Sequence, residues 1–435
     1  MPQAVVVGAG VAGIAASVHL TLRGWRVTLV EAAAAVGGRA TSVWDPVAGE
    51  FVDCGQHVFI GAYREFLALL GVLGTVRSAG GGEPLRFLFW DGERRFLFDA
   101  GRVPGCWGFL TALCRLPKLG VAGAFRLFQA LRNVVASEAS ETSVTEFLGR
   151  FKQAPVAQRV FWEPLTRATL NTAPEEASVA LLRVVLREGF LRSAASAQFV
   201  VPRSSLLQLL QPIEDWLARH GGELWLNTPA EAVLYRDSWA VCGIRIRGGK
   251  VLEADAVVLA VPPWVLPRLV PVLLTLPEYA RFLETVRYSP IVTLYLWLKE
   301  PVMPETVCAF AHPDLHWAFR RPTRYGAEAV ALVTSAADHL LHLPRQELVE
   351  RCLGAFAAAF PTFRPELLLR LRLMLEQRAT LKMSPGVNAL RPSGATPWSN
   401  LVLAGDWLQT GLPCTLEGAA RSGRAAAEAL SELCR

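Results

Sequence analysis

The chain has 435 residues, of which 52% are hydrophobic, and a formal net charge of +6, so it can bury a large core spread over more than one domain. Its positive charges form no run of lysine and arginine of the kind that binds nucleic acid, which excludes a nucleic-acid partner. Prolines interrupt the most apolar region, residues 257–277, so no transmembrane segment is predicted.

The first 31 residues predict a dinucleotide-binding unit. A short apolar run at 4–7 ends in the glycine motif GAGVAG, a helical pattern follows, and a second strand is closed by Glu31. In such a unit Gly8 permits the tight turn, Gly10 lets a pyrophosphate approach the backbone, and Gly13 lets helix and strand pack closely. The amide groups at the start of the helix would face phosphate, and Glu31 would accept hydrogen bonds from a ribose.

A second glycine element selects the cofactor. Gly37, Gly38 and Arg39 follow Glu31 after five residues, a spacing that resembles the E-x5-GGR signature of the amine oxidase and phytoene desaturase group of flavoproteins. Paired glycines let the backbone run beside a cofactor, and Arg39 can neutralise phosphate charge. An acid at Glu31 favours an unphosphorylated ribose, and a plain NAD dehydrogenase has no need of the second element. The expected cofactor is therefore FAD.

The middle of the chain alternates between helical and strand-rich regions. Residues 104–191 predict helices, and residues 221–263 predict short strands separated by turns. Apolar runs at 288–297 and 329–334 predict an antiparallel sheet that roofs a substrate cavity. A further helix is predicted at 345–360.

The resemblance to these flavoproteins implies a discontinuous arrangement of domains. The expected fold class is α/β, with a Rossmann-like FAD-binding domain, an inserted α+β substrate domain, and a helical part that faces a membrane. The expected FAD-binding domain comprises residues 1–75, 195–265 and 395–435. The expected substrate-binding domain comprises residues 76–194 and 266–394.

The end of the chain predicts a return to the cofactor. The segment LVLAGDWLQTGLPCTLEGAARSG at 401–423 reads as a buried strand, an acid at Asp406, a loop and a glycine-rich helix start. In the resembling flavoproteins, a strand that ends in Gly-Asp sets its carboxylate beside the ribityl and pyrophosphate region of FAD. The helix that begins near Glu417 and Gly418 would point its positive end at the flavin ring.

Three segments resemble one subfamily, the hydroxysqualene dehydroxylases of bacterial hopanoid pathways. They are FVDCGQHVFIGAYREFLALLGVLG at 51–74, FWEPLTRATLNTAPEEAS at 161–178 and LVLAGDWLQTGLPCTLEGAARSGRAAA at 401–427. One departure is Cys414, which stands where a smaller side chain is common. The resemblance implies the reductive removal of a hydroxyl from hydroxysqualene to give squalene, with reduced FAD as the hydride source. It also implies an electron donor that regenerates reduced FAD, whose identity the sequence leaves open.

The resemblance assigns residues to the FAD site. Residues 230–233 would lie along the adenine, and the segment around His57 would pass the flavin. The expected FAD-binding residues are Gly8, Gly10, Ala12, Gly13, Glu31, Gly38, Arg39, Gly55, Gln56, His57, Val233, Asp406, Leu416, Glu417 and Gly418.

Removal of a hydroxyl requires a proton donor for the leaving group, and the sequence offers two candidates. His57 would donate near neutral pH, and the alternative is a structural histidine that contacts the cofactor through its backbone alone. Glu163 has aromatic neighbours and would donate if burial kept it neutral, and the alternative is a salt bridge at a helix end. A developing cation would be stabilised by the ring face of Trp162, Trp297 or Trp317, although most such aromatics are core residues.

A basic, amphipathic stretch at 101–136 is typical of an anionic membrane surface. The alternative is an ordinary helix pair with a solvated basic face. A C30 hydrocarbon is nearly insoluble in water and would enter from a bilayer. The expected location is therefore the cytoplasm, at the inner face of the bacterial cytoplasmic membrane. The stretch contains no acid, and its basic residues are Arg102, Arg115, Lys118, Arg126 and Arg132.

Two rival functions share the cofactor motifs. A phytoene-type desaturase runs the redox chemistry in the oxidative direction on a long polyene, with the same flavin site. A non-enzymatic prenyl-lipid escort has this architecture without redox work, and the retained glycine and acid elements favour FAD over it. The eight cysteines have no CxxC pair and no metal-ligand spacing, which predicts reduced thiols and no metal site.

Overall fold

A computed structural model of the chain describes residues 1–101, 106–136 and 141–432, so Arg102 of the basic stretch lies outside the described residues. The strands in chain order are β1 (Gln3–Val7), β2 (Arg26–Val30), β3 (Ser42–Asp45), β4 (Glu50–Asp53), β5 (Phe59–Ile60), β6 (Arg86–Trp90), β7 (Arg95–Asp99), β8 (Phe199–Val200), β9 (Glu223–Trp225), β10 (Ala230–Tyr235), β11 (Val241–Ile246), β12 (Val251–Glu253), β13 (Ala256–Leu259), β14 (Tyr288–Leu298), β15 (Val307–His312), β16 (Leu315–Arg321), β17 (Glu328–Ser335), β18 (Leu368–Leu381) and β19 (Leu401–Leu403). The α-helices are α1 (Val11–Leu22), α2 (Arg64–Val72), α3 (Cys106–Cys114), α4 (Gly120–Ala136), α5 (Val144–Gly149), α6 (Pro155–Ala157), α7 (Glu163–Leu170), α8 (Val179–Val185), α9 (Leu206–Leu210), α10 (Ile213–Arg219), α11 (Leu266–Leu269), α12 (Pro277–Thr285), α13 (Arg345–Ala359), α14 (Val387–Leu390) and α15 (Leu416–Glu432).

A parallel sheet in the order β19-β13-β1-β2-β9 is the core of the dinucleotide-binding half. β1 lies between β2 and β13, and its residues Ala4 to Val7 are buried. A parallel strand covered on both faces must be apolar along its whole length, which explains the uninterrupted apolar run that the sequence shows there. The predicted strand, glycine turn, helix and second strand are therefore confirmed.

Segments from distant parts of the chain complete this sheet. β19 pairs with β13 and β13 pairs with β1, so the last strand of the chain lies two strands away from the first. Because the strands are parallel, their carboxyl ends meet at one edge of the sheet. The loop after β19 therefore faces the glycine turn after β1. The sheet draws its strands from residues 3–30, 223–259 and 401–403, which agrees with the expected FAD-binding segments, although the division into domains stays a prediction.

A second, mixed sheet has the order β18-β14-β17-β16-β15-β6-β7. The apolar runs predicted at 288–297 and 329–334 are its strands β14 and β17, which pair antiparallel. Successive side chains of a strand point to opposite faces. One face packs against α13 in a core of its own, and the other face lines a large cavity. The predicted helix at 345–360 is confirmed as α13.

Helices α3, α7 and α8 line the opposite side of the cavity. Two π-helical segments line it as well, Gln158–Trp162 directly before α7 and Leu186–Leu191 directly after α8, and π-helical turns often occur at functional sites. Within the described parts of the chain, no helix has both the length and the hydropathy required to cross a membrane.

Candidate active site

One cavity of about 730 Å³ extends from the glycine turn after β1 to the helices on the far side of the second sheet. Gly10 from the start of the chain and Asp406 from its end both line it. The cavity therefore joins the predicted cofactor elements to the predicted substrate half.

The glycine turn leaves open space in front of α1. Gly8 has a φ of +100°, and a Cβ on Gly13 would lie 1.8 Å from the carbonyl oxygen of Gly8, so this pair fixes the close contact of helix and turn. A Cβ on Gly10 would meet nothing nearer than the carbonyl oxygen of Gly37, at 3.9 Å. Among the described residues no side chain caps the N-terminus of α1, so its free amide groups fit the phosphate of a dinucleotide.

Glu31 is held beside this turn by the backbone. One carboxylate oxygen accepts a hydrogen bond from the amide of Ala9 at 2.7 Å, and the other accepts one from the amide of Ala33 at 2.9 Å. Each oxygen retains a second acceptor position, and Glu31 lines the cavity. Its placement fits the hydroxyl groups of a ribose.

Arg39 and Asp406 join the two ends of the chain by an ion pair. Arg39 also donates to the carbonyl oxygen of Ala379 on β18 at 3.0 Å. Burial alone would lower the pKa of Arg39, but the Asp406 carboxylate outweighs burial and raises it. Asp406 follows β19 of the first sheet, and Ala379 lies on β18 of the second sheet. The ion pair therefore lines the cavity where the two sheets approach each other.

The loop that carries Asp406 is held by Arg391, which the sequence analysis missed. The buried guanidinium of Arg391 donates to the carbonyl oxygens of Asp406 and Leu412, both at 2.6 Å, and to that of Trp407 at 3.2 Å. No local pattern marks this arginine, because its partners become neighbours only when the loop folds back.

Residues 55–57 form another wall of the cavity. The Gln56 side-chain nitrogen donates to the carbonyl oxygen of His57 at 3.0 Å, while the Gln56 side-chain oxygen is buried without a partner among the described residues. An orphaned acceptor of this kind fits a ligand with an N–H donor, such as a flavin ring.

The surroundings of His57 shift its pKa, and its role as a proton donor stays a prediction. Burial lowers its pKa, although the Asp53 carboxylate and the hydrogen bond to Gly55 act in the opposite direction. Its Nδ1 lies 2.5 Å from the carbonyl oxygen of Gly55, so in the neutral ring Nδ1 is the donor. The remaining nitrogen, Nε2, is then an acceptor.

Helix α15 begins at the cavity. Leu416 and Glu417 line it, and the Thr415 hydroxyl accepts a hydrogen bond from the amide of Gly418 at 3.1 Å, which caps the helix. The Glu417 carboxylate accepts a bond from the amide of Phe66 at 3.1 Å. Burial raises the pKa of Glu417 above its usual range.

Several of the predicted site residues lie away from the cavity. Gly13 and Gly418 contribute to helix packing and capping instead of lining it. Val233 on β10 is buried in the hydrophobic core, whereas Ala230 of the same strand lines the cavity. Glu163 lies at a separate, smaller hollow.

The expectation that Glu163 is a buried, neutral acid is wrong. Its side chain is 45% exposed and forms an ion pair with Arg167, one helical turn later, at 3.0 Å. The aromatic neighbours in sequence point to other sides of the helix, as with Trp162, which is buried and donates to Gln153. The alternative reading, a salt bridge, is what the structure shows.

An aromatic wall surrounds the cavity beyond the predicted cofactor elements. Phe87 stacks on Phe98 at 4.9 Å and meets Trp317 edge-on at 5.5 Å. Phe109 stacks on Phe190 at 5.2 Å. Of the three tryptophans considered for cation stabilisation, only Trp317 lines the cavity. The aromatic residues of this wall are Phe87, Phe89, Phe98, Phe109, Phe161, Phe190, Phe199, Trp317 and Phe319, and Tyr63 and Trp407 line the cavity elsewhere.

Polar residues interrupt this apolar lining, and the sequence analysis missed the three that come from the second sheet. They are Ser335 at the end of β17 and Glu376 and Thr380 on β18. Polar residues on β18 are expected on sequence grounds to face solvent, because it is an edge strand of alternating character. Only the fold shows that the C-terminal part of β18 lines the cavity.

Comparison with known proteins places the chain in a family. The model of the family described as flavin containing amine oxidoreductase matches residues 11–431. The hydroxysqualene dehydroxylases of Rhodopseudomonas palustris and Sinorhizobium fredii are each 30% identical to the chain, with 97% and 99% of both chains covered, respectively. The 15-cis-phytoene desaturase of Glycine max is 24% identical and aligns over 98% of this chain and 79% of its own length.

A solved structure shows the same fold. An oxidoreductase from Methanosarcina mazei superposes with a TM-score of 0.78 over 98% of this chain and 100% of its own, at 14% identity. The match to a flavoenzyme family over nearly the whole chain also favours an enzyme over a prenyl-lipid escort. The chain therefore belongs to the flavin containing amine oxidoreductase family, and it is an FAD-dependent oxidoreductase.

Proposed function

We propose that the protein catalyses the reductive dehydroxylation of hydroxysqualene to squalene in hopanoid biosynthesis. The observation that carries the proposal is the single cavity in which dinucleotide-binding elements open onto an aromatic wall. A long isoprenoid needs such a wall, because its binding depends on burial of apolar surface. The names of the relatives that are 30% identical support the same substrate.

The cofactor site follows from the residues that line the cavity. The N-terminus of α1 would hold the pyrophosphate, and Glu31 would hold the ribose of the adenosine. The start of α15 would stabilise negative charge on the flavin through its helix dipole. The proposed FAD-binding residues are Gly8, Gly10, Ala12, Glu31, Gly38, Arg39, Gly55, Gln56, His57, Asp406, Leu416 and Glu417.

The protein has two tasks in the reaction. Reduced FAD, when bound, supplies a hydride. The substrate carbon gains the hydride while its C–O bond breaks, and the hydroxyl takes up a proton that comes from solvent and leaves as water, so the substrate is reduced by two electrons. The apolar wall must keep water from the reacting carbon, and the ring of Trp317 can stabilise positive charge as it develops there.

Anaerobic turnover tests the proposal. The flavin of the purified protein is photoreduced without oxygen and mixed with hydroxysqualene, and we expect flavin reoxidation with one squalene formed per flavin. Reduced protein mixed with squalene is the control and should stay reduced. Absence of reoxidation by hydroxysqualene would refute the proposal. Reduction of the oxidised flavin by phytoene would favour the desaturase.

We also propose that α3 and α4 contact a membrane surface, from which the substrate enters. The inner face of α3 packs towards the cavity, where Phe109 is part of the aromatic wall, and the inner face of α4 packs into the same hydrophobic core. Their outer faces carry large apolar side chains in solvent, since Trp107 is 66% exposed, Val121 90% and Phe125 70%. Exposed apolar residues next to basic ones are typical of helices that lie in a membrane interface.

Liposome binding tests the membrane contact. Charge reversal of Arg115, Lys118 and Arg126 should weaken binding to anionic liposomes at unchanged flavin content. The matched control reverses three exposed arginines elsewhere, Arg236, Arg247 and Arg364, with the same change in net charge. Equal binding of anionic liposomes by both variants would refute a membrane contact specific to α3 and α4.

A further inference from the structure

Ser335 and Thr380 line the part of the cavity that the second sheet forms, together with the polar residues Asn171 and Glu376. Ser335 comes from β17 and Thr380 from β18, the two strands that flank β14. Ser335 pairs with Ile291 of β14, and Thr380 pairs with Ser289. Both therefore lie near the same end of β14, on either side of it.

Strand alternation directs the Ser335 side chain into the cavity. Val333 and Ser335 line it, whereas the residue between them, Thr334, donates to the carbonyl oxygen of Asp314 on the opposite face. The Ser335 residue is buried, and its hydroxyl makes no hydrogen bond to any other part of the described chain. A hydroxyl that faces a cavity without a protein partner is open to a hydrogen bond with a ligand or with water.

Thr380 lies where the aromatic wall meets the cofactor elements. Its neighbour Ala379 accepts the hydrogen bond from Arg39, which pairs with Asp406. The Thr380 oxygen accepts a bond from the side-chain nitrogen of Asn171 at 3.1 Å. The hydroxyl proton of Thr380 remains available to a ligand.

Asn171 holds the two positions together. Its side-chain oxygen accepts from the amide of Ala336 at 2.7 Å, directly after Ser335, while its nitrogen contacts Thr380. The same nitrogen donates to the carbonyl oxygen of Ser289 at 3.2 Å. The Asn171 side chain therefore forms hydrogen bonds to the ends of β14 and β18 and to the residue that follows β17. These bonds fix the positions of Ser335 and Thr380 relative to each other.

We infer that Ser335 and Thr380 form the subsite that binds the hydroxyl group of the substrate. The inference rests on the proposed function and deepens it, because it assigns recognition of an alcohol on a long hydrocarbon to two particular side chains. A pure hydrocarbon could form a hydrogen bond with neither hydroxyl. The subsite therefore favours an alcohol over a polyene of similar length.

The test compares two ligands that differ in the hydroxyl. Dissociation constants of the oxidised holoenzyme for hydroxysqualene and for squalene are measured from the change in flavin absorbance. Loss of one neutral hydrogen bond should lower the preference for hydroxysqualene by about 3- to 10-fold. We expect that fall for Ser335→Ala and for Thr380→Val, with unchanged affinity for squalene. Thr380→Ser keeps the hydroxyl and should keep the preference.

Thr169→Val is the matched control. Thr169 lines the same cavity, but its hydroxyl already donates to the carbonyl oxygen of Leu165 at 2.7 Å, so its loss should leave the preference unchanged. An unchanged preference in the Ser335→Ala, Thr380→Val double variant would overturn the inference, and so would an equal fall in the control. Conversion of hydroxysqualene by the unmodified enzyme is measured separately, and its failure alone would count against the proposed function.

Discussion

Replacement by alanine should have different effects at two glycines of the GAGVAG motif, on protein stability at Gly13 and on FAD binding at Gly10. At Gly13 the new Cβ would lie 1.8 Å from the carbonyl oxygen of Gly8, about 1.7 Å closer than an ordinary contact. The nearest atom belongs to the backbone, so helix α1 must move. At Gly10 the nearest described atom to the new Cβ is the carbonyl oxygen of Gly37, at 3.9 Å, so the methyl group would occupy the space in front of the helix.

The two substitutions therefore have separate expected magnitudes. Gly13→Ala overpacks the contact between helix and strand and should lower the free energy of unfolding of the apoprotein by about 3 kcal/mol. Gly10 has an extended backbone, with φ of −73°, that alanine adopts without strain, so Gly10→Ala should leave apoprotein stability unchanged or slightly raised. Its methyl group should weaken FAD binding by about 2 kcal/mol, or about 30-fold in Kd, because it blocks charge-assisted hydrogen bonds to phosphate.

The assay has two readouts on both variants. Urea unfolding of the apoprotein reports stability, and quenching of FAD fluorescence on titration reports affinity. The reasoning would be refuted by a Gly10→Ala variant that binds FAD like the unmodified protein. It would equally be refuted by a Gly13→Ala apoprotein that unfolds at the same urea concentration as the unmodified apoprotein.

Three further predictions concern single side chains. Burial acts to raise the pKa of Asp45, but hydrogen bonds led by that from Arg370 lower it well below its usual range. Stability from this ion pair is therefore present above about pH 4, the ordinary pKa of aspartate, and is lost as the pH falls through the folded-state pKa. The stability difference between the unmodified protein and Asp45→Asn, measured by urea unfolding, should shrink on acidification, and a constant difference would contradict this. Burial lowers the pKa of His57, so the ring is mostly neutral near pH 7 and has little acid to donate. His57→Gln should therefore reduce the single-turnover rate by less than about tenfold, whereas a loss of about a hundredfold or more would identify an acid catalyst. Asn171 has a left-handed backbone, with φ of +46°, which glycine also adopts, but Asn171→Gly removes three hydrogen bonds. The free energy of unfolding should therefore fall by about 2 to 4 kcal/mol. A fall below about 1 kcal/mol would show that water replaces the amide.

The cofactor half of the site could be predicted from the sequence because its signals are local. The glycine turn, Glu31 and the Gly-Gly-Arg element lie within the first 39 residues, and each has a conformational reason for its residue type. Neighbours in sequence remain neighbours in space over such a short unit. The fold class and the strands at 288–297 and 329–334 were predictable for the same reason, since apolar periodicity is read within each segment.

The acid and the substrate wall were not predictable in this way. Aromatic neighbours in sequence suggested burial for Glu163, but on a helix adjacent residues point in different directions, and its carboxylate faces Arg167 and solvent. His57 lines the cavity, yet its pKa depends on burial that no local pattern reports. Ser335 lies on β17 and Thr380 on β18, and β14 lies between these two strands in the sheet. The two residues therefore become neighbours only when the sheet has formed.

The sequence by itself determined the cofactor class, the chain direction through the first sheet and the return of the C-terminal segment, because backbone geometry restricts which residues serve a phosphate-binding turn. Only the tertiary structure decided which polar groups reach the cavity. Arg39 and Asp406, separated by 367 residues, form an ion pair, and aromatic residues from both sheet and helices form one wall. Such contacts depend on packing between segments distant in sequence, and each side chain's environment exists only after those segments have come together.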